Sequence, residues 1–557
     1  EQPLIRLDVD LGSDVALTRL TGAAVILSPD GKRILYVSRS SGGSSQLYTR
    51  RLDQPRAAPL SGAEGAESPF FSPDGQWVAF FAGGKLKKIA VEGGAAVTLC
   101  DAANGRGGSW GDNGEIVAAL GSREGLSRVS AAGGPPAPLT KLDPAKKETS
   151  HRWPQILPGG KAVLFVAGAA GRFEQANIEA LSLDAGQRKI LQRGGTYGRY
   201  LPSGHLVWVH EGTLFAAPMD ASRLELRGPS TPVLEDVLSA PFFGGAQYAF
   251  SMTGTLVYQS GQPGGEWSVQ WLESDGSTQP LLAKMGGYVA PAFSPDGRRL
   301  ALSKAEGGNI DIWICEWERG ALTRLTSAPG VDNFPVWAPD GKHIAYSSGG
   351  VIFWVRADGS GGPHKLMESR NRLYPSSFTP DGRHLAFTED APETRYDIWT
   401  APLEGHDSDQ PRVGKPELFL RTPFSERYPA FSPDGRWLAY ESDESGAHEV
   451  YVRPFPAGGG KWQVSTGGGV MPVWSPNGRE LFYRAPDSRI MVAGYAAKGD
   501  TFAPGRPRPW SEKRLAATTI LRDFALAPDG KRFAVLLQGD GADQKLPHHV
   551  TFLENFF

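Results

Sequence analysis

An all-β fold of twelve four-stranded sheets is predicted by three features of the sequence: a recurring tight turn, an apolar strand on each side of it, and a near-regular spacing between the copies. The fullest form of the turn is Ser72-Pro73-Asp74-Gly75, and successive copies start 39 to 53 residues apart. A repeat of that length indicates one supersecondary unit stacked many times. The copies start at Ser28, Ser72, Gly111, Leu157, Leu201, Ser251, Ser294, Ala338, Thr379, Ser432, Ser475 and Ala527.

The chemistry of this motif predicts a turn between two paired strands. Proline presets its backbone angle for the second position, aspartate bonds the local backbone, and glycine accepts a positive φ without steric cost. An apolar or aromatic residue precedes each copy and a short apolar run follows it, as in a β-hairpin. Because the aspartate recurs from unit to unit, we interpret it as a turn former rather than as a metal ligand or catalytic acid.

Four strands are predicted in each unit, and the seventh unit shows them most clearly. Its strands are predicted over residues 290–293, 299–303, 311–317 and 322–326. Four short antiparallel strands in a unit of about 40 to 50 residues are typical of a propeller blade. The twelfth unit ends without a fourth strand, while spare strand-like segments at 4–11 and 16–21 precede the first unit. Either segment could close a ring from the opposite end of the chain.

Two tandem six-bladed propellers are the favoured arrangement, because rings of four to eight blades are usual. The predicted domains are residues 1–275 and 276–557. The first ring would end with strand 267–272, and the second would begin with strand 279–283 and end with strand 550–553. A single twelve-bladed ring uses the same strands and remains an alternative.

Composition argues against several classes of protein. Lys and Arg total 58 against 60 Asp and Glu, so we expect neither a nucleic-acid partner nor membrane binding. Apolar runs are too short for a membrane helix, and no signal peptide is recognisable. The two cysteines, Cys100 and Cys315, lie five repeats apart and are not expected to form a bridge. Since the chain begins at Glu1, it reads as part of a longer protein.

Ligand binding is predicted where the chain enters the first strand of each unit, because these segments should meet at one mouth of a propeller channel. They are rich in charged and aromatic side chains, and several arginines suggest an anionic group on the ligand. The ligand itself, whether a small molecule, a peptide or a protein, is not identified. The alternative for each residue is a structural bond between blades, and for His151 a packed position. The predicted residues are His151, Arg152, Arg199, Tyr200, Asp332, Asn333, Arg372, Arg427 and Arg522.

Catalytic and metal motifs give no convincing match, so no catalytic residue, metal site or cofactor is predicted. Ser109 lies in a G-x-S-x-G pattern but lacks the strand-to-helix context of a nucleophile elbow. Asp8 and Asp10 resemble the start of a calcium loop, yet Arg19 stands where its glutamate should be. The pair His548-His549 borders the last strand and is expected to face solvent.

The unit x-P-x-[FW]-S-P-D-G, followed by an apolar strand and then D-I-W or E-V-Y, resembles the PD40 (TolB-like, WD40-like) propeller repeat. It stands in full at residues 68–75, 290–297 and 428–435. A narrower resemblance, carried by 68–75, 84–88, 97–100, 107–111 and 150–154, is to the extracytoplasmic propeller of bacterial transmembrane serine/threonine kinases. It implies a sensor outside the cytoplasm, whose kinase domain and membrane helix would precede this segment.

A non-catalytic binding or sensor module is therefore the favoured function. One alternative is a metal-dependent, lactonase-like hydrolase acting in the channel. Its most plausible metal donors are Glu67, His151, Asp332, Asn333, Glu426 and Asp523. Another alternative is the propeller of a prolyl-peptidase-like enzyme without its catalytic domain.

Overall fold

The chain forms two compact units in the computed structural model. Unit 1 comprises Glu1–Gly265 together with Gly541–Phe557, and unit 2 comprises Glu266–Asp540. The structure describes residues 3–12, 15, 17, 22–39, 45–146, 148–168, 173–240, 243–261, 267–306, 309–328, 330–391, 394–456, 458–515, 521–538 and 548–557. Of the predicted segment 16–21, only Leu17 lies within the described residues.

Unit 1 contains six antiparallel sheets, named blades by the number of their turn, with strands given in order of pairing. Blade 1 is Val25–Leu27, Arg33–Arg39, Ser45–Arg51 and Ala58–Glu64. Blade 2 is Glu67–Phe71, Trp77–Ala82, Lys85–Ala90 and Val97–Asp101. Blade 3 is Gly108–Trp110, Glu115–Ala118, Ser127–Ser130 and Ala137–Pro138. Blade 4 is Ser150–Ile156, Ala162–Gly168, Asn177–Ser182 and Arg188–Arg193. Blade 5 is Thr196–Leu201, His205–His210, Thr213–Asp220 and Glu225–Leu226, with Thr231–Leu234 also paired to the third strand. Blade 6 is Tyr248–Phe250, Leu256–Tyr258, His549–Glu554 and Ile5–Asp10.

Unit 2 contains the other six sheets. Blade 7 is Gly287–Phe293, Leu300–Glu306, Asn309–Glu316 and Ala321–Arg324. Blade 8 is Asp332–Trp337, His343–Ser348, Val351–Arg356 and His364–Met367. Blade 9 is Arg372–Phe378, His384–Ala391, Arg395–Glu404 and Arg412–Val413, with Glu417–Leu420 also paired to the third strand. Blade 10 is Glu426–Phe431, Trp437–Ser442, Glu449–Pro454 and Trp462–Gln463. Blade 11 is Val470–Trp474, Glu480–Arg484, Arg489–Lys498 and Thr501–Pro504, with Arg508–Arg514 also paired to the third strand. Blade 12 is Phe524–Leu526, Phe533–Gln538, Trp267–Leu272 and Thr278–Pro280.

The remaining elements within the described ranges are a two-stranded hairpin, Ser239–Ala240 with Gly245–Ala246, and three 3₁₀ turns at Pro144–Lys146, Phe173–Gln175 and Trp317–Arg319. The predicted all-β fold of four-stranded antiparallel sheets is therefore confirmed, with a fifth strand added in three blades.

Each unit closes on itself, because its last blade lies beside its first. In unit 1, Ala24 N donates to Gln247 Oε1 over 2.7 Å, and Gln247 Nε2 donates to the carbonyl of Gly22 over 2.8 Å. In unit 2, Ala290 N donates to the carbonyl of Arg522 over 2.9 Å. In most neighbouring blades the first strands contact one another, so these strands surround the centre of their own unit.

The third strands of blades 6 and 12 correct the sequence-based assignment. Trp267–Leu272 was expected to complete blade 6, but it pairs with Phe533–Gln538 of blade 12. The last strand, His549–Glu554, instead pairs with Leu256–Tyr258 of blade 6 and with Ile5–Asp10. The division at 265/266 and 540/541 accordingly differs from the predicted boundary at 275/276. Both strands are short apolar third strands, so the local sequence does not say which sheet each one joins.

The turn chemistry matches the prediction. Ser72 Oγ donates to Asp74 Oδ1 over 2.5 Å, Gln76 N donates to the same oxygen over 3.0 Å, and Trp77 N donates to Ser72 Oγ over 2.9 Å. The hydrogen bond from Ser72 holds the pKa of Asp74 below its ordinary value. The final glycine of each of the twelve turns has a φ between 65° and 101°, a conformation that suits glycine.

Candidate functional site

Six of the first strands share a backbone kink, which determines how the residues around each centre are placed. Six residues in these strands have φ between 48° and 59° although each directly precedes a proline, a position that disfavours such angles. The pairing register shifts at the same places, which marks β-bulges. Backbone strain of this kind costs about 1–3 kcal/mol per residue and persists only where the surroundings hold it. The six residues are Ser68, Trp153, Ala290, Phe334, Tyr428 and Met471.

The kink turns backbone amides toward the preceding blade. Trp153 N donates to the carbonyl of Arg106 over 2.9 Å, across blades 4 and 3. Met471 N donates to Glu441 Oε2 over 2.9 Å, across blades 11 and 10. Part of the strain is therefore offset by hydrogen bonds between blades, and these bonds fix the start of each first strand.

The first hub, defined as Trp153, Tyr197 and Tyr248, is aromatic and closed. The Trp153 and Tyr197 ring centroids lie 5.4 Å apart, and those of Tyr197 and Tyr248 lie 5.3 Å apart. The three side chains are 1%, 6% and 1% exposed, and they belong to the largest apolar core of unit 1. The centre of unit 1 is therefore packed at this level.

The predicted arginines of unit 1 bond to backbone carbonyls. Arg152 is buried, and its guanidinium donates to the carbonyls of Phe243 and Ser122, each over 3.0 Å. Arg199 donates to the carbonyls of Trp153 and Gly198, each over 2.9 Å, and lies over the Tyr197 ring. Both side chains thus link segments of unit 1, which is the structural role expected as the alternative to ligand binding.

Phe243, in the small hairpin of unit 1, also covers the first hub. Its carbonyl accepts hydrogen bonds from Trp153 Nε1 and from Arg152. The Arg106 guanidinium lies 5.4 Å from the centre of its ring. Trp153 and Arg152 are therefore hydrogen-bonded to this hairpin, and Arg106 lies against its aromatic ring.

His151 is a packed residue, as its alternative interpretation stated. Its Nδ1 lies 2.7 Å from Thr140 Oγ1 and its Nε2 lies 3.0 Å from Glu148 Oε2. Burial lowers the pKa of His151 to about 4, so the ring is neutral at physiological pH. Tyr200 exchanges two backbone hydrogen bonds with the side chain of Gln155.

The second hub is charged and partly open. We define it as Arg427, Tyr428, Glu441, His448, Arg484, Arg522 and Asp523, contributed by blades 10 and 11 and by the start of blade 12. Tyr428 interacts electrostatically with Arg427, Glu441, Arg484 and Arg522, so these groups share one region. Arg427, Tyr428 and Arg522 are only half-buried, in contrast to the aromatic residues of the first hub.

Two ion pairs account for most of the charge in the second hub. Arg427 Nη2 lies 2.7 Å from Glu441 Oε1 and donates to His448 Nε2 over 3.2 Å. Burial lowers the pKa of His448, and the nearby Arg427 charge acts in the same direction. Arg484 forms a second, buried ion pair with Asp523. The histidine is therefore neutral, and two carboxylates are matched by two guanidinium groups.

Arg522 is the third guanidinium, and it forms no ion pair among the described residues, while the charges of Glu441 and Asp523 act on it electrostatically. Its Cζ lies 5.8 Å from the centre of the Tyr428 ring, and burial lowers its pKa. The electrostatic balance of the second hub is thus three cations against two anions. A half-buried, unpaired arginine can bind a carboxylate or phosphate group through two parallel hydrogen bonds.

The other predicted residues of unit 2 lie in blades 8 and 9. Asp332 and Asn333 are buried at the start of blade 8, where Ser303 Oγ donates to Asn333 Oδ1 over 2.7 Å. Arg372 begins blade 9 and is half-buried, and its guanidinium forms no hydrogen bond or ion pair with the described part of the chain. Phe334 and Tyr374 pack together nearby, with ring centroids 5.1 Å apart.

Sequence reasoning missed Glu441, His448 and Arg484. Glu441 is the penultimate residue of its second strand and Arg484 is the last residue of its own, and hairpin pairing places them opposite Arg427 and Val470. The hairpin register could have identified both, since each lies across the turn from a predicted entry segment.

The described residues do not form the geometry that a metal-dependent hydrolase or a nucleophilic Ser109 would require. Among the described residues, no three of the histidine and carboxylate donors proposed for the hydrolase have ligand atoms within 4.8 Å of one another; these donors are Glu67, His151, Asp332, Glu426 and Asp523. Ser109 lies in a strand, and its Oγ accepts a hydrogen bond from Ile156 N over 3.0 Å. The two cysteines form no bridge, as predicted, and both are buried.

Comparisons with known proteins support the repeat assignment. Residues 255–410 match the family model described as PD40, TolB beta propeller domain. A stretch of 210 residues is 26% identical to the Tol-Pal system protein TolB of Francisella tularensis subsp. mediasiatica, covering 36% of this chain and 46% of that protein. Another stretch of 179 residues is 28% identical to the uncharacterized peptidase YuxL of Bacillus subtilis, covering 29% of this chain and 24% of that protein.

A solved structure titled putative TolB from Agrobacterium tumefaciens aligns with a TM-score of 0.36 and 18% identity, over 50% of this chain and 99% of that chain. The chain spans less than half the length of the two curated relatives described above. The resemblance to PD40 and TolB-like propellers is confirmed, and it supports a binding or scaffold role in general. None of the helices formed by the described residues has the length and apolar character that a membrane crossing requires.

Proposed function

We propose that this chain is a non-catalytic binding module whose second hub receives an anionic group of a peptide or small-molecule ligand. Arg522 carries the proposal, because it is half-buried and forms no ion pair with the described residues, and because both carboxylates of the second hub are already paired. A carboxylate or phosphate placed against it would balance the charge. Tyr428 adds an aromatic face beside the guanidinium.

The first hub has no comparable arginine available to an anionic ligand among the described residues. Arg152 and Arg199 both bond to carbonyls, and aromatic rings fill the centre. We therefore assign ligand binding to unit 2 and a structural role to the four predicted residues of unit 1.

Binding to defined anions tests the proposal. The panel consists of inorganic phosphate, succinate, and short peptides with free or amidated carboxyl termini, measured by thermal shift and then by calorimetry. A ligand that binds only the folded state raises the melting temperature. Arg522→Gln should weaken a binder by roughly 10- to 100-fold, the range expected for a charge-assisted hydrogen bond.

The matched control is Arg506→Gln, which removes an exposed arginine of the same unit. Its affinity should equal that of the unaltered protein. Equal affinities for the Arg522 and Arg506 variants would contradict the site. Preference for free over amidated peptides would identify a terminal carboxylate as the recognised group.

We further propose that the module acts outside the cytoplasm as the sensor part of a receptor serine/threonine kinase. The support is the resemblance carried by segments 68–75, 84–88, 97–100, 107–111 and 150–154. The coding sequence upstream of Glu1 tests it: a kinase domain followed by one membrane helix is expected there. A different upstream domain would leave the binding module without this role.

A further inference from the structure

The two ends of the described chain meet in blade 6 and bring three metal-binding side chains together. Ile5–Asp10 pairs antiparallel with His549–Glu554, so Asp10 lies opposite His549. Leu11 N donates to the carbonyl of His548 over 2.9 Å, which holds His548 at the same edge. Asp10, His548 and His549 have ligand atoms that all lie within 4.8 Å of one another.

The separations between these atoms are too long for hydrogen bonds and suit two ligands of one ion. His548 Nε2 lies 3.5 Å from Asp10 Oδ1, and His549 Nε2 lies 3.9 Å from Asp10 Oδ2. Zinc bonds to nitrogen and oxygen are about 2.0–2.2 Å long, which in a tetrahedron places ligand atoms roughly 3.3–3.5 Å apart. The first distance already agrees, the second exceeds it by about half an ångström, and the separation between the two histidines stays within 4.8 Å.

The carboxylate is already oriented for this role. Gly12 N donates to Asp10 Oδ1 over 2.8 Å, which limits rotation of the carboxylate. His548 is buried at 6% exposure, whereas Asp10 and His549 reach solvent. Such an arrangement gives an ion a route of entry and leaves a coordination position for water. Two imidazoles and one carboxylate favour zinc and related transition metals over calcium or magnesium, which prefer oxygen ligands.

We propose that Asp10, His548 and His549 form a divalent zinc-type site that ties the first strand of the chain to the last. Neither strand is joined to blade 6 by a tight turn, because Ile5–Asp10 and His549–Glu554 come from opposite ends of the sequence. An ion bound by both strands would hold the outer edge of blade 6 closed. The role is structural, and it is independent of ligand binding at the second hub.

Zinc titration of the untagged chain tests this site, with a tag-free protein used because a histidine tag would itself bind the metal. Calorimetry and native mass spectrometry should show one zinc ion per chain, and magnesium should not compete. Asp10→Asn should weaken binding by roughly tenfold or more, as should His549→Gln. The matched control is Asp8→Asn on the same strand, whose carboxylate accepts a hydrogen bond from Thr551 Oγ1 and is not a proposed ligand. Its zinc affinity should be unchanged.

Hydrogen exchange provides a second measurement. It distinguishes an ion bound by both strands from an ion bound by the two histidines alone. Zinc should slow amide exchange in Ile5–Asp10 and His549–Glu554 of the unaltered protein, and should leave blade 12 unaffected. Asp10→Asn should lose this protection while remaining folded by circular dichroism. Absence of stoichiometric zinc binding would overturn the proposal, and so would zinc affinity or strand protection that survives in Asp10→Asn.

Discussion

The two hubs occupy equivalent places in the repeat but differ in chemistry. In unit 1, Trp153 is the kinked residue of its first strand, and it packs in a buried aromatic cluster. In unit 2, Tyr428 has the same backbone angle and the same following proline, but it faces arginines and acids and stays half-buried. The same backbone kink therefore occurs both in a packed aromatic centre and in a charged, half-buried one. The side chains next to the kink decide which one forms.

The largest expected effect is the loss of the aromatic centre of unit 1. Trp153→Ala should reduce the free energy of unfolding by about 3–5 kcal/mol, because it removes a buried indole and its hydrogen bond to Phe243. The matched change in unit 2 is Phe334→Ala, at the same kink but half-buried, and its loss should be smaller. Urea unfolding measures both. Equal losses would show that the two centres do not differ in packing.

Removing one acid from the second hub should cost nearly as much. Glu441→Gln leaves Arg427 without its counter-charge, and breaking such a pair costs about 3 kcal/mol or more. The double variant Arg427→Met with Glu441→Gln should recover part of that loss, because no unpaired charge remains. Chemical denaturation of both proteins measures the difference. A double variant less stable than Glu441→Gln would argue against charge imbalance as the cause.

The stability of unit 2 should also depend on pH through Glu426. Burial raises the pKa of Glu426 to about 7, and its Oε2 has no hydrogen-bond partner among the described residues. The folded state therefore binds a proton more tightly than the unfolded state, whose pKa is near 4.5. The stabilisation is complete below pH 4.5 and is lost as pH rises toward 7 and above, by at most about 3 kcal/mol.

Glu426→Gln removes this dependence while retaining an acceptor for the hydroxyl of Thr422. The variant should be more stable than the unaltered protein at pH 8, and that advantage should disappear near pH 4. Thermal unfolding across this range measures the difference between the two proteins. A constant difference would mean that Glu426 does not titrate as described.

The smallest expected effect is at a repeated turn. Asp434→Ala removes hydrogen bonds from Ser432 Oγ and Arg436 N, so unfolding should become easier by about 1 kcal/mol. The control is Asp500→Ala, an exposed aspartate in the same unit. Thermal unfolding should show no loss for the control. A similar loss in both would indicate that the turn aspartate contributes only its charge.

The sequence predicted the positions of the inner hairpins because their chemistry is local. Ser72, Asp74 and Gly75 complete their bonds within six residues, and the same pattern returns in other repeats. Most of the predicted binding residues lie near the starts of first strands for the same reason, whereas Arg199 and Tyr200 lie near the end of Thr196–Leu201. Their roles were not visible, because the partner of Arg152 is a carbonyl in a distant hairpin. The grouping of the predicted residues into one ligand site stays a prediction.

The repeated turn, read from the residues alone, determined that this chain would be a series of small antiparallel sheets with polar entry segments. Only the tertiary structure decided which third strand completes blades 6 and 12, and which hub contains an arginine without an ion pair to the described residues. The physical reason is the sequence separation of the interacting residues. A turn is specified by neighbouring residues, whereas similar apolar strands and similar arginines are distinguished only by partners that lie far away in the sequence.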